Sequence, residues 1–132
     1  MQSNGSGVLS TWTFDGGKLR EQQRVTHPHA LKCATFGASL SPARHVATGD
    51  HKGELLVYDV SRMEKPIYQV QAHTSMIHCV DGVGGKDPMR CGAPELATCS
   101  ADGFVRLFDP RMKEPVLELT STAESETRHR VG

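Results

Sequence analysis

Residues 47–60, ATGDHKGELLVYDV, lie over residues 97–110, ATCSADGFVRLFDP, without a gap. Ala47 and Ala97, Thr48 and Thr98, Gly53 and Gly103, and Asp59 and Asp109 coincide, each pair 50 positions apart. Downstream, KPIYQV from Lys65 matches EPVLEL from Glu114 at an offset of 49. Upstream, HPHALKCATF from His27 matches HTSMIHCVDG from His73 at an offset of 46, with Cys33 in register with Cys79. A repeat of this length constrains the fold more than composition does. Each copy is one supersecondary unit that buries its apolar face only against a neighbour of the same kind. The offset grows from 46 to 50 inside the second copy, so extra residues fall in DGVGGKDPMRCGAP, residues 81–94. A fragment of a third copy stands in front: GVLSTWTF, from Gly7, resembles GELLVYDV, and KLREQ then resembles a fourth strand.

The content of each copy predicts strands. No long segment keeps a 3.6-residue apolar period, and 13 glycines and 7 prolines punctuate the chain. The runs VLSTWTF, LKCATF, HVAT, ELLVYDV, PIYQV, MIHCV, ELATC, FVRLFD and PVLEL have strand length and strand composition. The expected class is all-β, with four short antiparallel strands per unit. The formal net charge is zero and the two signs are interspersed, which excludes the clustered cations of a nucleic-acid surface or a polybasic membrane surface. No apolar run approaches a bilayer span. The opening MQSNGSGVLSTW lacks the basic and apolar regions of a secretory signal, so a cytoplasmic location is expected.

In that compartment the four cysteines, which form no CxxC pair, read as reduced thiols. Cys33, Cys79 and Cys99 sit in apolar runs, where they suit the role of small hydrophobes. A zinc site from His78, Cys79 and Cys91 would lack any recognised ligand spacing. No metal, cofactor or small-molecule substrate is expected.

The glycine-rich stretch invites a nucleotide-binding reading. A P-loop needs G-x-x-x-x-G-K-[ST] between a strand and a helix. Here Val80 stands where the first glycine belongs, Asp87 follows Lys86, and Pro88 then leads to another strand. Without the helix no amides converge on a phosphate. The better expectation is a long connection between two strands, with Gly82, Gly84 and Gly85 supplying positive φ and Gly82, Gly84, Gly85 and Lys86 forming an interaction loop.

Four strands per unit, a histidine turn at the start and an aromatic-Asp at the end of the third strand resemble the WD-repeat β-propeller family. The resemblance implies a hydrogen-bonded structural ladder of His73, Thr98 and Asp102, with Phe108 in the place of the family's tryptophan and so without its N–H. The first unit has His27, Thr48 and Tyr58, but Lys52 where the acid belongs, so it is expected to rely more on packing. His73, Thr98 and Asp102 also have the composition of a catalytic triad. No activated nucleophile or oxyanion site accompanies them, so no catalytic residue and no enzyme is expected.

The resemblance divides the chain into four parts. Residues 1–24 supply the third and fourth strands of an incomplete leading blade, 25–71 a first full blade, 72–120 a second, and 121–132 a disordered or misjoined tail. The segments ALKCATFGA, HVATGDHKGELLVYD, MIHCVDGVGG, GAPELATCSADG and FDPR resemble, within that family, a factor for axonemal dynein assembly. That implies a non-enzymatic interaction scaffold whose partners are a prefoldin-like co-chaperone complex and dynein subunits, with a link to cilium or flagellum assembly. An alternative rests on Phe108-Asp109-Pro110-Arg111, which resembles the box by which some WD-repeat proteins dock onto cullin-type ubiquitin ligases. Asp109 and Arg111 would then dock a partner; otherwise Arg111 pairs with a neighbouring acid. A closed seven-bladed ring takes about 300 residues. The 132 residues are therefore expected to be a truncated form, marginally stable alone.

Overall fold

The computed structural model describes residues 6–38, 44–82 and 95–120. All regular structure among them is β, as the composition of the runs predicts, and no helix is present. The strands are β1 (Gly7–Asp15), β2 (Lys18–His27), β3 (Leu31–Thr35), β4 (His45–Asp50) and β5 (Glu54–Asp59). Next come β6 (Tyr68–Gln71), β7 (Ile77–Gly82), β8 (Leu96–Ser100), β9 (Phe104–Phe108) and β10 (Leu117–Thr120). They form a hairpin, β1-β2, and two four-stranded sheets, β3-β4-β5-β6 and β7-β8-β9-β10, in which every strand pairs antiparallel with its chain neighbour.

The two sheets are copies related by the sequence repeat. In each, a tight turn joins the second and third strands and ends in a left-handed glycine, Gly53 at φ 90° and Gly103 at φ 91°. The glycine amide bonds back to the carbonyl three residues earlier, Asp50 at 3.3 Å and Ser100 at 3.1 Å. The tight turn is closed by a residue of positive φ, a position that favours glycine. At Gly53 a Cβ would also collide with the carbonyl of His73, whereas at Gly103 the space is open.

The β3–β6 sheet is the middle layer. From one face Ala47, Leu55 and Val57 pack in a cluster with Ile77, Val80, Leu96 and Phe108 of the β7–β10 sheet. From the other, Val46, Leu56 and Tyr58 pack with Leu9 and Val25 of the hairpin. Coverage on both sides explains why β5 reads as an unbroken apolar run: Leu55, Leu56, Val57 and Tyr58 are all buried. Each such side chain contributes about 1.5–3 kcal/mol relative to exposure. Its counterpart β9, FVRLF, is less buried, because the described residues cover its sheet on one face only; Phe108 is buried while Val105 on the opposite face is exposed.

Main chain of the two units meets at a pair of glycines. A Cβ on Gly37 would strike the carbonyl of Gly82, and one on Gly82 would strike the carbonyl of Gly37. Gly82 therefore does not serve the expected role of supplying positive φ. It is the extended last residue of β7, paired with Leu96, and it is glycine because main chain meets main chain there. Gly84, Gly85 and Lys86 of the expected interaction loop, and Cys91, lie outside the described residues, as does the tail from 121.

Candidate functional site

Each four-stranded unit holds a buried histidine at its entrance. His73 follows β6 and is 1 % exposed. Its Nδ1 stands 3.1 Å from both carboxylate oxygens of Asp102, and its Nε2 stands 2.7 Å from Thr98 Oγ1. Asp102 comes from the β8–β9 turn and also accepts the amides of Thr74 (3.1 Å) and Phe104 (3.0 Å). Ser100, beside it, donates to the Met76 carbonyl at 2.8 Å and accepts the Asp102 amide at 3.1 Å. The repeat thus brings together residues 25 and 29 positions apart. Phe108 is in the apolar cluster and offers no polar atom to this network.

Burial pushes the pKa of His73 below its ordinary 6.5, against the opposing pull of Asp102. Burial also works against the Asp102 carboxylate, but the Thr74 and Phe104 amides and His73 outweigh it and hold it below 3.8. At neutral pH the ring is therefore neutral and the carboxylate charged. With the proton on Nδ1, facing Asp102, Nε2 is free to accept from the Thr98 hydroxyl, which also lies 3.2 Å from the Arg106 carbonyl. Such an arrangement orders the turn. It presents no nucleophile to solvent, because Thr98 is itself buried.

The first unit solves the same problem with a different residue. His27, the last residue of β2, stands with Nε2 2.9 Å from Asp50 Oδ2, and both are buried. Asp50 Oδ1 accepts the amides of Lys52 (2.9 Å) and Glu54 (2.8 Å). Glu54 aligns with Phe104, so Asp50 does from the strand end what Asp102 does from the turn. The expectation that this unit lacks an acid and relies on packing is corrected accordingly. The signal was Asp50 itself, masked because the repeat aligns it with Ser100. Thr48, the counterpart of Thr98, has a buried hydroxyl with no partner among the described residues. Tyr58 is buried on the hairpin side, away from this cluster.

His27, Asp50 and Glu54 offer ligand atoms within 4.8 Å of one another and are the described residues best placed to hold a metal ion. Both oxygens of Asp50 are already engaged, which favours the hydrogen-bonded pair. Of the sulfur-containing alternative, His78 and Cys79 are exposed neighbours on β7. That exposure corrects the reading of Cys79 as a buried small hydrophobe; its strand face is the one that the described residues leave open.

At the end of β9, Arg111 folds back on Asp109. Its Nε lies 2.9 Å from Asp109 Oδ1, which also takes the Arg111 amide at 2.9 Å. The guanidinium and the amide hold the Asp109 carboxyl below its ordinary range. The first unit has an analogue in Arg44 and Asp59, 3.2 Å apart. There the Ser61 amide and hydroxyl, helped by Arg44, bring Asp59 down to about 2. Arg111 thus has the neighbouring acid as its partner. Arg106 is tied inward as well, to Glu118 at 2.7 Å and to the Ala72 carbonyl at 2.6 Å, and it lies over the Phe104 ring.

No protein-family model matches the sequence. Among curated proteins, the chain is 38 % identical over 126 residues to "Dynein axonemal assembly factor 10" of Xenopus tropicalis, a match covering 96 % of this chain and 35 % of that protein. It is 38 % identical over 109 residues to the protein of the same name in Chlamydomonas reinhardtii, covering 83 % of this chain and 30 % of that one. A shorter match, 40 % over 62 residues, covers 45 % of this chain and 11 % of "Cytoplasmic dynein 2 intermediate chain 2" of Homo sapiens. The chain spans about a third of the length of the assembly factors it matches.

Proposed function

We propose that the chain is part of a WD-repeat β-propeller and acts as a non-enzymatic protein-interaction scaffold in the assembly of axonemal dyneins. The observation that carries this reading is the 38 % identity, over 96 % of the chain, to a protein named as a dynein axonemal assembly factor. The resemblance to the WD-repeat protein Monad points the same way. Three features of the structure support it. Two successive four-stranded meanders stack face to face, as blades of a propeller do. Each is pinned at its entrance by a histidine and an acid. Both histidine clusters are buried and hydrogen-bonded in ways that order turns, which suits a scaffold.

On this reading the surface loops present the chain to dynein subunits and to a prefoldin-like co-chaperone complex, in the cytoplasm of cells that build cilia or flagella. The test is affinity capture of the tagged chain from such cells, read by mass spectrometry against a tag-only control. Axonemal dynein chains and prefoldin-like subunits are expected to be enriched. Enrichment of cullins and their adaptors instead, or of neither group, would sink the proposal.

A further inference from the structure

The repeat that lays Cys33 over Cys79 also lays Gly49 over Cys99. In each unit these are cross-strand partners, Cys33 opposite Gly49 and Cys79 opposite Cys99. In each, a bulge at the preceding residue, Lys32 or His78, sets that register. Without the bulge, His78 would face Cys99.

In the first unit, position 49 is glycine because the next sheet lies on it. A Cβ there would come within 2.7 Å of Ile77 Cγ2. The same Cβ would lie 3.0 Å from Cys33 Sγ. In a disulfide each sulfur lies about 3 Å from the partner's β-carbon, as follows from an S–S bond of about 2.05 Å and an ordinary bond angle at sulfur. The repeat geometry therefore holds a sulfur at bonding reach of whatever β-carbon stands opposite. In the second unit the residue opposite is a cysteine. Antiparallel partners have Cα atoms about 4.5–5.5 Å apart, inside the range that disulfides span.

Access differs as well. Cys33 faces the β7–β10 sheet, its Sγ 3.9 Å from the Ile77 carbonyl. Cys79 is exposed and Cys99 half-buried. They alternate along their strands with the buried Val80 and Thr98, so both point to the face that the described residues leave open, beside Val105.

We infer that Cys79 and Cys99 form a reversible cross-strand dithiol, a modification site for low-molecular-weight disulfides of the glutathione type. The Cys79 thiolate attacks one sulfur of oxidised glutathione, forming a mixed disulfide and expelling one glutathione thiolate. The Cys99 thiolate then attacks the Cys79 sulfur and expels the second. The protein loses two electrons and two protons; the oxidised glutathione gains them as two reduced molecules. The inference rests on this face staying open, as the described residues leave it; a further sheet stacked there, as the propeller reading allows, would cover both thiols as the β7–β10 sheet covers Cys33.

The test is equilibration of the 132-residue chain in glutathione redox buffers, followed by alkylation, cleavage after Lys, Arg and Glu, and mass spectrometry without reduction. Cleavage at Glu95 separates Cys91 from Cys99. The expected product joins the Cys79 peptide to the Cys99 peptide, retains no glutathione, and is unchanged in Cys33→Ser and Cys91→Ser chains. In Cys99→Ser the cross-link is lost completely and Cys79 keeps one glutathione. Separate glutathione adducts on Cys79 and Cys99 in the unaltered chain would overturn the inference. So would a link from Cys79 to Cys91, or links found only between isotopically distinct chains.

Discussion

The two units share a backbone and differ in how each satisfies its histidine. Around His73 two polar side chains and two backbone amides are matched: the Asp102 carboxylate on Nδ1, the Thr98 hydroxyl on Nε2, and the Thr74 and Phe104 amides on the carboxylate. Around His27 the carboxylate has moved to the strand end and taken the Nε2 position, and the Thr48 hydroxyl has no partner among the described residues. A turn of this kind needs an acid within reach of the ring and of the amide that opens the third strand. It does not need that acid at a fixed position in the chain. Each acid serves a histidine and two amides, but Asp50 is fully buried, whereas the Asp102 side chain is 7 % exposed.

The sharpest break of this comparison is therefore Asp50→Ala. It strands a buried histidine and two amides, and is expected to cost about 3–5 kcal/mol. Asp102→Ala, with water nearer at hand, should cost about 1.5–3 kcal/mol. Urea unfolding of both variants measures the difference; equal losses would mean that the two acids are interchangeable. The turn glycines come next. Gly103→Ala meets only the left-handed backbone and is expected to cost about 1–2 kcal/mol. Gly53→Ala must also displace the His73 carbonyl and should lower the midpoint clearly further.

A finer probe replaces each threonine by valine. Thr98→Val removes the donor to His73 Nε2 and should cost about 1–2 kcal/mol, while Thr48→Val discards a hydroxyl that has no partner and should be neutral or stabilising. A loss at Thr48 would show a partner for that hydroxyl.

The smallest effect is on pH. His73 has a lowered pKa, so the folded state binds its proton less readily than the unfolded chain does. Its contribution is complete above pH 6.5 and falls as the pH drops below that. Burial lowers His45 too, in the same sense. Asp102, also lowered, contributes above 3.8 and fades below it. Stability should decline from pH 7 to 5, and His73→Gln should flatten part of the decline. An unchanged slope in that variant would assign it to other groups.

Much of the fold could be read from the sequence because the repeat is local and regular. The runs of strand composition coincide with strands, and the Gly53 and Gly103 turns fall where the aligned motifs place them. The neighbours of His73 lie where Ser100-Ala101-Asp102-Gly103 carries them. The neighbours of His27 could not be read in this way. The alignment asked for an acid at position 52 and found Lys52, and only three-dimensional distance reveals that a carboxylate two residues earlier reaches the same ring and the same strand-opening amide. The role of Gly82 was hidden for a related reason. A glycine in a glycine-rich stretch suggests a turn, and nothing local announces that Gly37, in the turn after β3, will press against it. Burial was legible where both faces are covered, as in ELLVYD, and misleading for Cys79, whose apolar neighbours say nothing about which face is open.

The contact between Gly37 and Gly82 has a mechanical consequence. Sheets usually meet through interlocked side chains in a layer about 10 Å deep. Here, at one corner, the joint is main chain on main chain, and nothing compressible lies between. Such a corner acts as a rivet. It sits at the end of β7, where a side chain on either glycine would force the two units apart.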